Sequence, residues 1–247
     1  MERKRLTAIK TEIKPLIDGK YVKAEGFESN YVLTPIGLRI SRARILGTVM
    51  TKFMNDDKTY GFFVIDDGTE TIRAKVFKSM KLIEKISEGD LVDVVGKLRE
   101  YDGELYIMPE VVKKIDNPNF LILRKAELLE QKKEIEKIKE KVFGFKKQTS
   151  DLEEIKKLAQ AEGIDPEMAE AMIESEEVSE EKEETDKKSM KDMILNIIEK
   201  LDDGTGAEYS VIIEESKLDE AEVEEIVNEL LSEGTCYEPR PGRIKRL

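Results

Sequence analysis

Residues 60–77 read YGFFVIDDGTETIRAKVF. The stretch contains two runs rich in β-branched and aromatic residues, which are typical of strands. Between them lies Asp66-Asp67-Gly68, a sequence typical of a tight turn. The stretch therefore predicts an antiparallel pair of strands, Thr59–Ile65 and Thr71–Phe77.

Three further strands are predicted around this pair. They are Ser41–Phe53 before it, and Leu91–Tyr101 and Glu104–Val112 after it. A short helix is predicted at Ser79–Ile86, because its apolar residues recur at helical spacing. Five strands with a helix between the third and the fourth follow the order of an OB-fold, whereas an SH3-like barrel lacks that helix. The predicted fold class is α+β, with an OB-fold barrel over residues 39–116.

Residues 117–143 form the next predicted element, a long amphipathic helix whose apolar stripe repeats every seven residues. An acidic flexible linker is predicted at residues 144–188. A weak helical pair lies within it, with Pro166 opening the second helix, and the low-complexity sequence at 174–188 is predicted to be disordered. Gly and Pro break up residues 1–38, which we expect to be an N-terminal extension packed loosely on the barrel.

Residues 189–247 are predicted to form a second compact domain. Three helices followed by two short extended pieces make the winged-helix pattern. Asp219 is expected to cap the third of these helices and Gly234 to end it. Cys236, the single cysteine of the chain, is expected to be a packing residue.

The composition excludes several chemistries. The chain has 247 residues, one cysteine and no histidine, which removes His/Cys zinc sites, intrachain disulfides and general bases or triads built on histidine. Carboxylate-only metal chemistry stays open, but the sequence has neither a DxDxDG loop nor a Walker motif. We therefore expect a protein that is not an enzyme and that needs no cofactor or metal.

Charge divides the chain into two unlike halves. Residues 1–150 carry 30 Lys and Arg against 24 Asp and Glu, whereas residues 151–247 carry 12 against 30. The first half is therefore suited to approach phosphate groups, which repel the second half. The sequence has no recognisable membrane span or signal peptide, so we expect an intracellular, cytoplasmic protein with no membrane partner.

One face of the predicted barrel combines cations with aromatic rings. Alternate residues of a strand point to opposite faces, and apolar residues fill the inward positions of the third and fourth strands. Cations follow a nucleic-acid backbone and rings stack on its bases. The pattern favours a single-strand-binding face, although outward cations are more often a solvated surface and OB-folds bind other ligands too. The predicted binding residues are Arg44, Lys52, Arg73, Lys75, Phe77, Lys97, Arg99 and Tyr101.

Three stretches carry a resemblance to a known family. They are ARILGTVMTKF at 43–53, YGFFVIDDGTETIRAKVF at 60–77 and GDLVDVVGKLREYDGELYI at 89–107. Together with the order of barrel, helix, acidic linker and winged helix, they resemble the middle subunit of replication protein A, in particular its archaeal form, and the related telomere-capping protein Stn1. Residues 1–38 and 144–175 lie outside the resemblance.

The resemblance implies a role for each part of the chain. It implies a subunit of a heterotrimeric single-stranded-DNA-binding complex in replication, repair and recombination, in which Phe77 and Tyr101 stack on bases. It also implies that the long helix joins helices of two sister subunits, and that the winged helix recruits replication or repair proteins, with primase and DNA polymerase as candidate clients. The residues expected at the subunit interface are Leu121, Leu128, Ile135, Ile138 and Val142.

Four alternatives stay open, two for parts of the chain and two for its function. The third helix of the C-terminal domain carries a row of carboxylates, which favours protein docking there and leaves DNA contact to the basic wing around Arg240 and Arg243. The stripe of the long helix would serve equally to dock on its own barrel. The barrel is nearly neutral, so an assembly and recruitment subunit with little DNA binding is the main alternative function, and an enzyme is a third.

Overall fold

The computed structural model describes residues 6–24, 26, 29–77 and 79–247. The chain divides into two compact units, Met1–Val178 and Ser179–Leu247. In chain order the elements are β1 (Ile9–Lys10), α1 (Lys14–Ile17), β2 (Lys20–Val22), β3 (Tyr31–Leu33), β4 (Arg39–Ile40), β5 (Arg42–Met54), β6 (Tyr60–Asp66), β7 (Thr71–Phe77), β8 (Leu91–Tyr101), β9 (Glu104–Lys114), α2 (Asn119–Lys146), α3 (Leu152–Ala161), α4 (Pro166–Leu201), β10 (Ala207–Glu208), α5 (Tyr209–Ser216), α6 (Glu220–Ser232), β11 (Cys236–Arg240) and β12 (Arg243–Arg246).

Five strands of the first unit close into a barrel. β5 pairs with both β6 and β8, so the strand order β5-β6-β7-β9-β8 returns to its start. The turn between β6 and β7 follows from its sequence: Gly68 has a φ of +87°, which favours glycine. The Asp66 and Asp67 carboxylates accept hydrogen bonds from the Gly68 and Thr69 N–H groups. The predicted OB-fold barrel is confirmed.

The segment between β7 and β8 contains less helix than predicted. In place of a helix over Ser79–Ile86 it forms a single 3-10 turn at Met80–Leu82. The Lys52 ammonium donates hydrogen bonds to the carbonyl oxygens of Ile86 (2.7 Å) and Glu84 (3.5 Å). These are carbonyls that a continuing helix would pair with its own N–H groups, so the helix prediction was wrong beyond one turn.

The described part of residues 1–38 packs more tightly than the sequence predicts. Ile13, Leu16 and Val32 are fully buried in the barrel core. The Ile13 N–H donates a hydrogen bond to the Asp67 carboxylate (2.7 Å), and β1 extends the barrel sheet parallel to β5. The expectation of a loose extension was wrong for the described part of this segment, because three of its apolar side chains enter the core.

A β-bulge in β5 changes which of its side chains face the core. The pairing with β6 shifts between Val49 and Thr51, so Met50 is an extra residue. An extra residue of this kind moves the in–out alternation by one position. Beyond the bulge Phe53 points outward beside a ring of β6, and Lys52 points inward.

The second half of α2 packs on α3 and on the first turns of α4. Ile135 and Val142 are buried, and Ile138 is partly buried, in a cluster with apolar residues of those two helices. The apolar stripe predicted for a subunit interface is therefore covered within the chain at these three positions, which corrects their assignment. Leu121 and Leu128, nearer the start of α2, are only half-buried.

The predicted acidic linker is largely helical. α3 and the start of α4 match the predicted helical pair, with Pro166 opening the second helix. Residues 174–188, predicted to be disordered, lie within α4. Glu and Lys are good helix formers, and residues 167–201 contain neither Gly nor Pro. Local helix propensity therefore supports a helix here, although the charge composition predicted disorder.

The second unit contains the end of α4, then β10, α5, α6 and a β11–β12 hairpin. Asp219 caps α6 as predicted and forms a capping box with Glu222, and Gly234 follows the helix with a φ of +71°. Cys236 is buried in the apolar core, as expected of a packing residue, and burial raises the pKa of its thiol. The order of helices and hairpin is the predicted one, whereas membership of the winged-helix class stays a prediction.

Candidate nucleic-acid interface

The outward side chains of β6, β7, β9 and β8 form one continuous surface. Strand register places Val64, Arg73, Tyr106 and Arg99 side by side across these four strands. Phe53 joins them from the end of β5, next to β6. We call this surface the aromatic face, and it comprises Phe53, Tyr60, Phe62, Arg73, Lys75, Phe77, Arg99, Tyr101, Glu104 and Tyr106.

Four rings of the aromatic face touch one another in a row. The ring centroids of Phe53 and Phe62 are 5.5 Å apart, those of Phe62 and Tyr60 are 6.3 Å apart, and those of Tyr60 and Phe77 are 5.3 Å apart. These separations lie in the range of favourable ring pairs. Phe53 and Phe77, at the two ends of the row, are about half exposed, so each keeps a ring surface that a base can stack on.

Two cations of β7 lie over rings of the same face. The Arg73 guanidinium is 4.9 Å from the centroid of Phe62, and the Lys75 ammonium is 4.4 Å from that of Tyr106. Each such contact contributes about 0.5–1 kcal/mol at an exposed site. The stacking holds both charges flat against the sheet, where a nucleic-acid backbone would pass.

Glu104 pairs with both of these cations. Its Oε1 lies 2.8 Å from Arg73 Nη1 and its Oε2 lies 2.7 Å from Lys75 Nζ. The contact with Glu104 is the one side-chain hydrogen bond that Arg73 makes among the described residues, and its Nε is buried without a partner there. One carboxylate offsets only one of the two positive charges, so the centre of the face keeps a net positive charge in the free protein.

Tyr101 stands apart from the row of rings. It ends β8 at the tight turn Asp102-Gly103, both of which have positive φ, and it is 74% exposed. Tyr101 is level with the start of β7 and Phe77 is at its end. At about 3.3 Å per residue the two rings are separated by roughly 20 Å. They mark opposite ends of one face, with the cations between them.

The two predicted cations of β8 also lie on this side of the barrel. Arg99 is next to Tyr106, and its side chain has no ion pair or hydrogen bond within the part of the chain that the structure describes. Lys97 is beside Met108 and its ammonium is 3.9 Å from Glu110. Both remain available to a ligand of the aromatic face.

Arg44 does not belong to the aromatic face. Its guanidinium binds both carboxylate oxygens of Asp93, which raises the pKa of Arg44. The buried Arg124 of α2 lies 3.6 Å from the same carboxylate and 3.3 Å from Glu127, which also binds Lys10 at 2.7 Å. We call these five residues the carboxylate network. It joins α2 to the barrel, so the assignment of Arg44 to DNA binding is corrected.

Lys52 is also misplaced by the sequence prediction. The bulge at Met50 turns its side chain to the core side of β5, where it bonds to the carbonyls of Glu84 and Ile86. The position that simple alternation gives to Lys52 is taken by Phe53. A cation on the predicted face is therefore replaced by a ring.

Sequence reasoning missed four rings of the face. Tyr60 and Phe62 alternate along β6, and this alternation was a usable signal, because β6 was already expected to pair with β7. Tyr106 was detectable in the same way on β9. Phe53 was not, since its direction depends on the bulge.

In the second unit, the acidic side of α6 is partly neutralised by α4. Lys187 pairs with Glu225 and Glu229, and Lys191 pairs with Glu229 and Glu233. These pairs raise the pKa of both lysines and lower that of Glu229. The surface that remains acidic is at the start of the helix.

The cations of the β11–β12 hairpin are largely engaged within the second unit. Arg243 donates hydrogen bonds to Asp203, Thr205 and the Gly206 carbonyl. Lys245 lies 3.3 Å from Asp202, and Arg246 lies 2.7 Å from Glu199. Hydrogen bonds from Thr205 lower the pKa of Asp203 to about 2. Contact of this hairpin with DNA therefore gains no support.

Metal-binding clusters and membrane-spanning helices are both absent from the described ranges. Within them, no group of three or more Cys, Asp or Glu side chains is arranged to hold a metal ion. The described helices also lack any stretch that is both long and apolar enough to cross a bilayer.

Comparison with known proteins assigns the barrel and finds a relative of most of the chain. Residues 43–115 match the tRNA_anti-codon family, an OB-fold nucleic acid binding domain. The chain is also 33% identical over 211 residues to the uncharacterized protein MJ1654 of Methanocaldococcus jannaschii, and the match covers 85% of this chain and 77% of that protein.

Solved structures with a similar fold were also found. A chain of a replication protein A heterotrimer bound to ssDNA is 14% identical, covers 50% of this chain and 93% of its own, and has a TM-score of 0.42. A chain of yeast replication protein A bound to ssDNA is 21% identical, with coverages of 53% and 92% and a TM-score of 0.41. A chain of the S. pombe Stn1–Ten1 complex is 18% identical, with coverages of 42% and 79% and a TM-score of 0.38. With TM-scores this low, we draw no functional conclusion from these structures.

Proposed function

We propose that this chain, which belongs to the same family as the MJ1654 protein of Methanocaldococcus jannaschii, binds single-stranded DNA along its aromatic face. The observation that carries the proposal is a row of exposed rings interleaved with cations, on a barrel that matches a nucleic-acid-binding domain. Rings stack on unpaired bases, which a double helix hides within itself. The sequence resemblance of residues 43–53, 60–77 and 89–107 to the middle subunit of replication protein A favours DNA over RNA.

In this proposal the chain works as a subunit of a heterotrimeric complex in DNA replication and repair inside the cell, and it has no enzymatic activity. The start of α2 supports a partner contact, because it exposes a group of large apolar side chains. They are Phe120, Ile122, Leu123 and Leu129. Two sister subunits would cover this surface, while the acidic second unit would recruit replication or repair proteins.

The test of DNA binding removes the two rings at the ends of the face. A double variant, Phe77→Ala with Tyr101→Ala, should lose about 2–6 kcal/mol of binding free energy, since each stacked base contributes about 1–3 kcal/mol. Fluorescence anisotropy with a labelled oligothymidylate measures the loss on the full chain, alone and with its co-expressed partners.

Phe120→Ala is the matched control for this test. Phe120 and Phe77 are the same residue type and are 49% and 50% exposed, but Phe120 lies on α2, away from the aromatic face. Because Phe120 belongs to the proposed partner contact, the control is measured on the chain without partners, where it should bind DNA like the unchanged chain. An affinity that is equal in the double variant and the unchanged chain would rule out stacking on these rings.

A second candidate function is an assembly and recruitment subunit that contacts DNA weakly. Two observations favour it: residues 39–115 carry 14 Lys and Arg against 13 Asp and Glu, and Glu104 offsets one of the two central positive charges. Salt dependence separates the two functions. Each phosphate contact to a single strand adds about 0.7 to the slope of log affinity against log salt, so a flat slope for the isolated chain favours recruitment.

A further inference from the structure

Glu104 binds the two central cations of the aromatic face in the way that a phosphate would. Each carboxylate oxygen accepts one charge-assisted hydrogen bond, from Arg73 at 2.8 Å and from Lys75 at 2.7 Å. The oxygens of a backbone phosphate present the same charge and the same acceptors to a pair of cations. The Glu104 side chain is 40% exposed, so a ligand can reach it.

Glu104 also lies on the path that a bound strand would follow. It is paired with Tyr101 across the β8–β9 hairpin, and Tyr106 is the next outward residue of β9. Arg73 and Lys75 lie between Tyr101 and Phe77 along the face. A nucleic acid that stacks on both end rings therefore passes these cations and meets the carboxylate.

The bonding of Arg73 to Glu104 is incomplete. Arg73 donates one hydrogen bond, through Nη1, while its buried Nε lacks a partner in the described ranges. A buried donor without an acceptor costs free energy. A guanidinium binds phosphate best through two parallel N–H groups, whereas Glu104 engages Arg73 through Nη1 alone. A phosphate in its place can also accept from Nη2.

We propose that Glu104 occupies the place of a DNA phosphate in the free protein, and that a bound strand displaces it from Arg73 and Lys75. The inference rests on the proposed function, because it takes the aromatic face to be the DNA-binding surface. Glu104 lowers the affinity of the face, since both ion pairs must break. In exchange it keeps the two cations ordered over Phe62 and Tyr106.

The first experiment replaces the carboxylate by an amide of the same shape. Glu104→Gln in the full chain should bind labelled oligothymidylate about 10-fold more tightly, because two ion pairs, one of them to the largely buried Lys75, no longer have to break. Glu100→Gln is the matched control: it removes the same charge four residues away, and Glu100 is paired with Lys23, 3.8 Å away. We expect this control to change affinity less than about 2-fold.

The second experiment asks whether the gain acts through the two cations. In a chain with Arg73→Gln and Lys75→Gln, adding Glu104→Gln should give no gain in affinity. An equal gain in that background, or with Glu100→Gln, would mean a general charge effect and would overturn the inference. Equal affinities of the unchanged chain and Glu104→Gln would also overturn it while leaving the proposed function intact. If none of the chains binds, both fall. Urea unfolding midpoints verify that every variant is folded.

Discussion

Arg44 and Arg73 both point outward from barrel strands, yet they belong to surfaces of opposite character. Their side chains are almost equally exposed, at 42% and 41%. Arg44 is fixed by Asp93 within the carboxylate network, which ties α2 to the barrel. Arg73 lies over the ring of Phe62 and shares a single carboxylate with Lys75. The same outward arginine thus fixes a helix to the barrel on one surface, and on the other lies among the rings of the face that we propose binds DNA.

The largest expected effect is a loss of stability when the carboxylate network loses Arg124, its buried cation. Arg124→Met should lower the free energy of unfolding by about 2 kcal/mol, because the largely buried Asp93 and the partly exposed Glu127 each lose one of their two cations. Urea unfolding of the full chain measures the change. Arg73→Met is the matched control and should cost under about 1 kcal/mol, since its ion pair is exposed. Similar losses for both would erase the distinction between the two surfaces.

The next effect is on DNA affinity and not on stability. Arg73→Met should weaken oligothymidylate binding by about 1–2 kcal/mol, because a cation next to the stacking rings is lost. Arg44→Met should leave binding within about 2-fold. A titration at one fixed salt concentration compares the two variants. If Arg44→Met weakened binding as much as Arg73→Met, the DNA path would have to include the carboxylate network.

A smaller effect is the loss of stability at acid pH when Glu127 is protonated. Lys10 and Arg124 hold the pKa of Glu127 below its ordinary value of 4.5. Glu127 therefore contributes stability above that pH, and the contribution is lost as the pH falls through the lowered pKa of the folded state. Unfolding midpoints measured from pH 6 downward should fall less steeply for Glu127→Gln than for the unchanged chain. Glu130→Gln, on the same helix but exposed, should follow the unchanged chain; parallel curves for all three would remove Glu127 from the network.

The smallest expected effect concerns Lys52. Lys52→Met should change DNA affinity by less than about 2-fold, because the side chain lies on the core side of β5 and bonds to backbone carbonyls. It should cost about 1 kcal/mol of stability through those lost hydrogen bonds. Anisotropy and urea unfolding on one preparation give both values. A clear loss of affinity with unchanged stability would return Lys52 to the binding surface.

Much of the barrel was predictable because local signals agree with one another. The alternation in β7 and β8, and the turns at Asp66-Asp67-Gly68 and Asp102-Gly103, specify strands, register and connections together. For the same reason Phe77, Tyr101, Arg73, Lys75 and Arg99 were placed correctly on one face.

The errors arose where a distant part of the chain decides the outcome. Arg44 and Arg73 have the same local pattern, and only the approach of α2 with Arg124 distinguishes them. Likewise, the apolar stripe of α2 predicts that an apolar surface covers it, but the stripe does not show which element provides that surface. Ile135 and Val142 find that partner in α3 and α4, in a region whose charge composition predicts a linker.

The bulge at Met50 has a consequence for how sequences related to this one should be aligned. Because Met50 is the extra residue in β5, a chain that lacks one residue there restores a regular strand and still directs Phe53 outward and Lys52 inward. A gap placed between Thr51 and Phe53 instead, with the bulge kept, would put the ring on the core side of the strand. The two gap positions lie only two residues apart. A gap at Met50 keeps the Phe53 ring on the aromatic face, and a gap at Lys52 removes the ring from it.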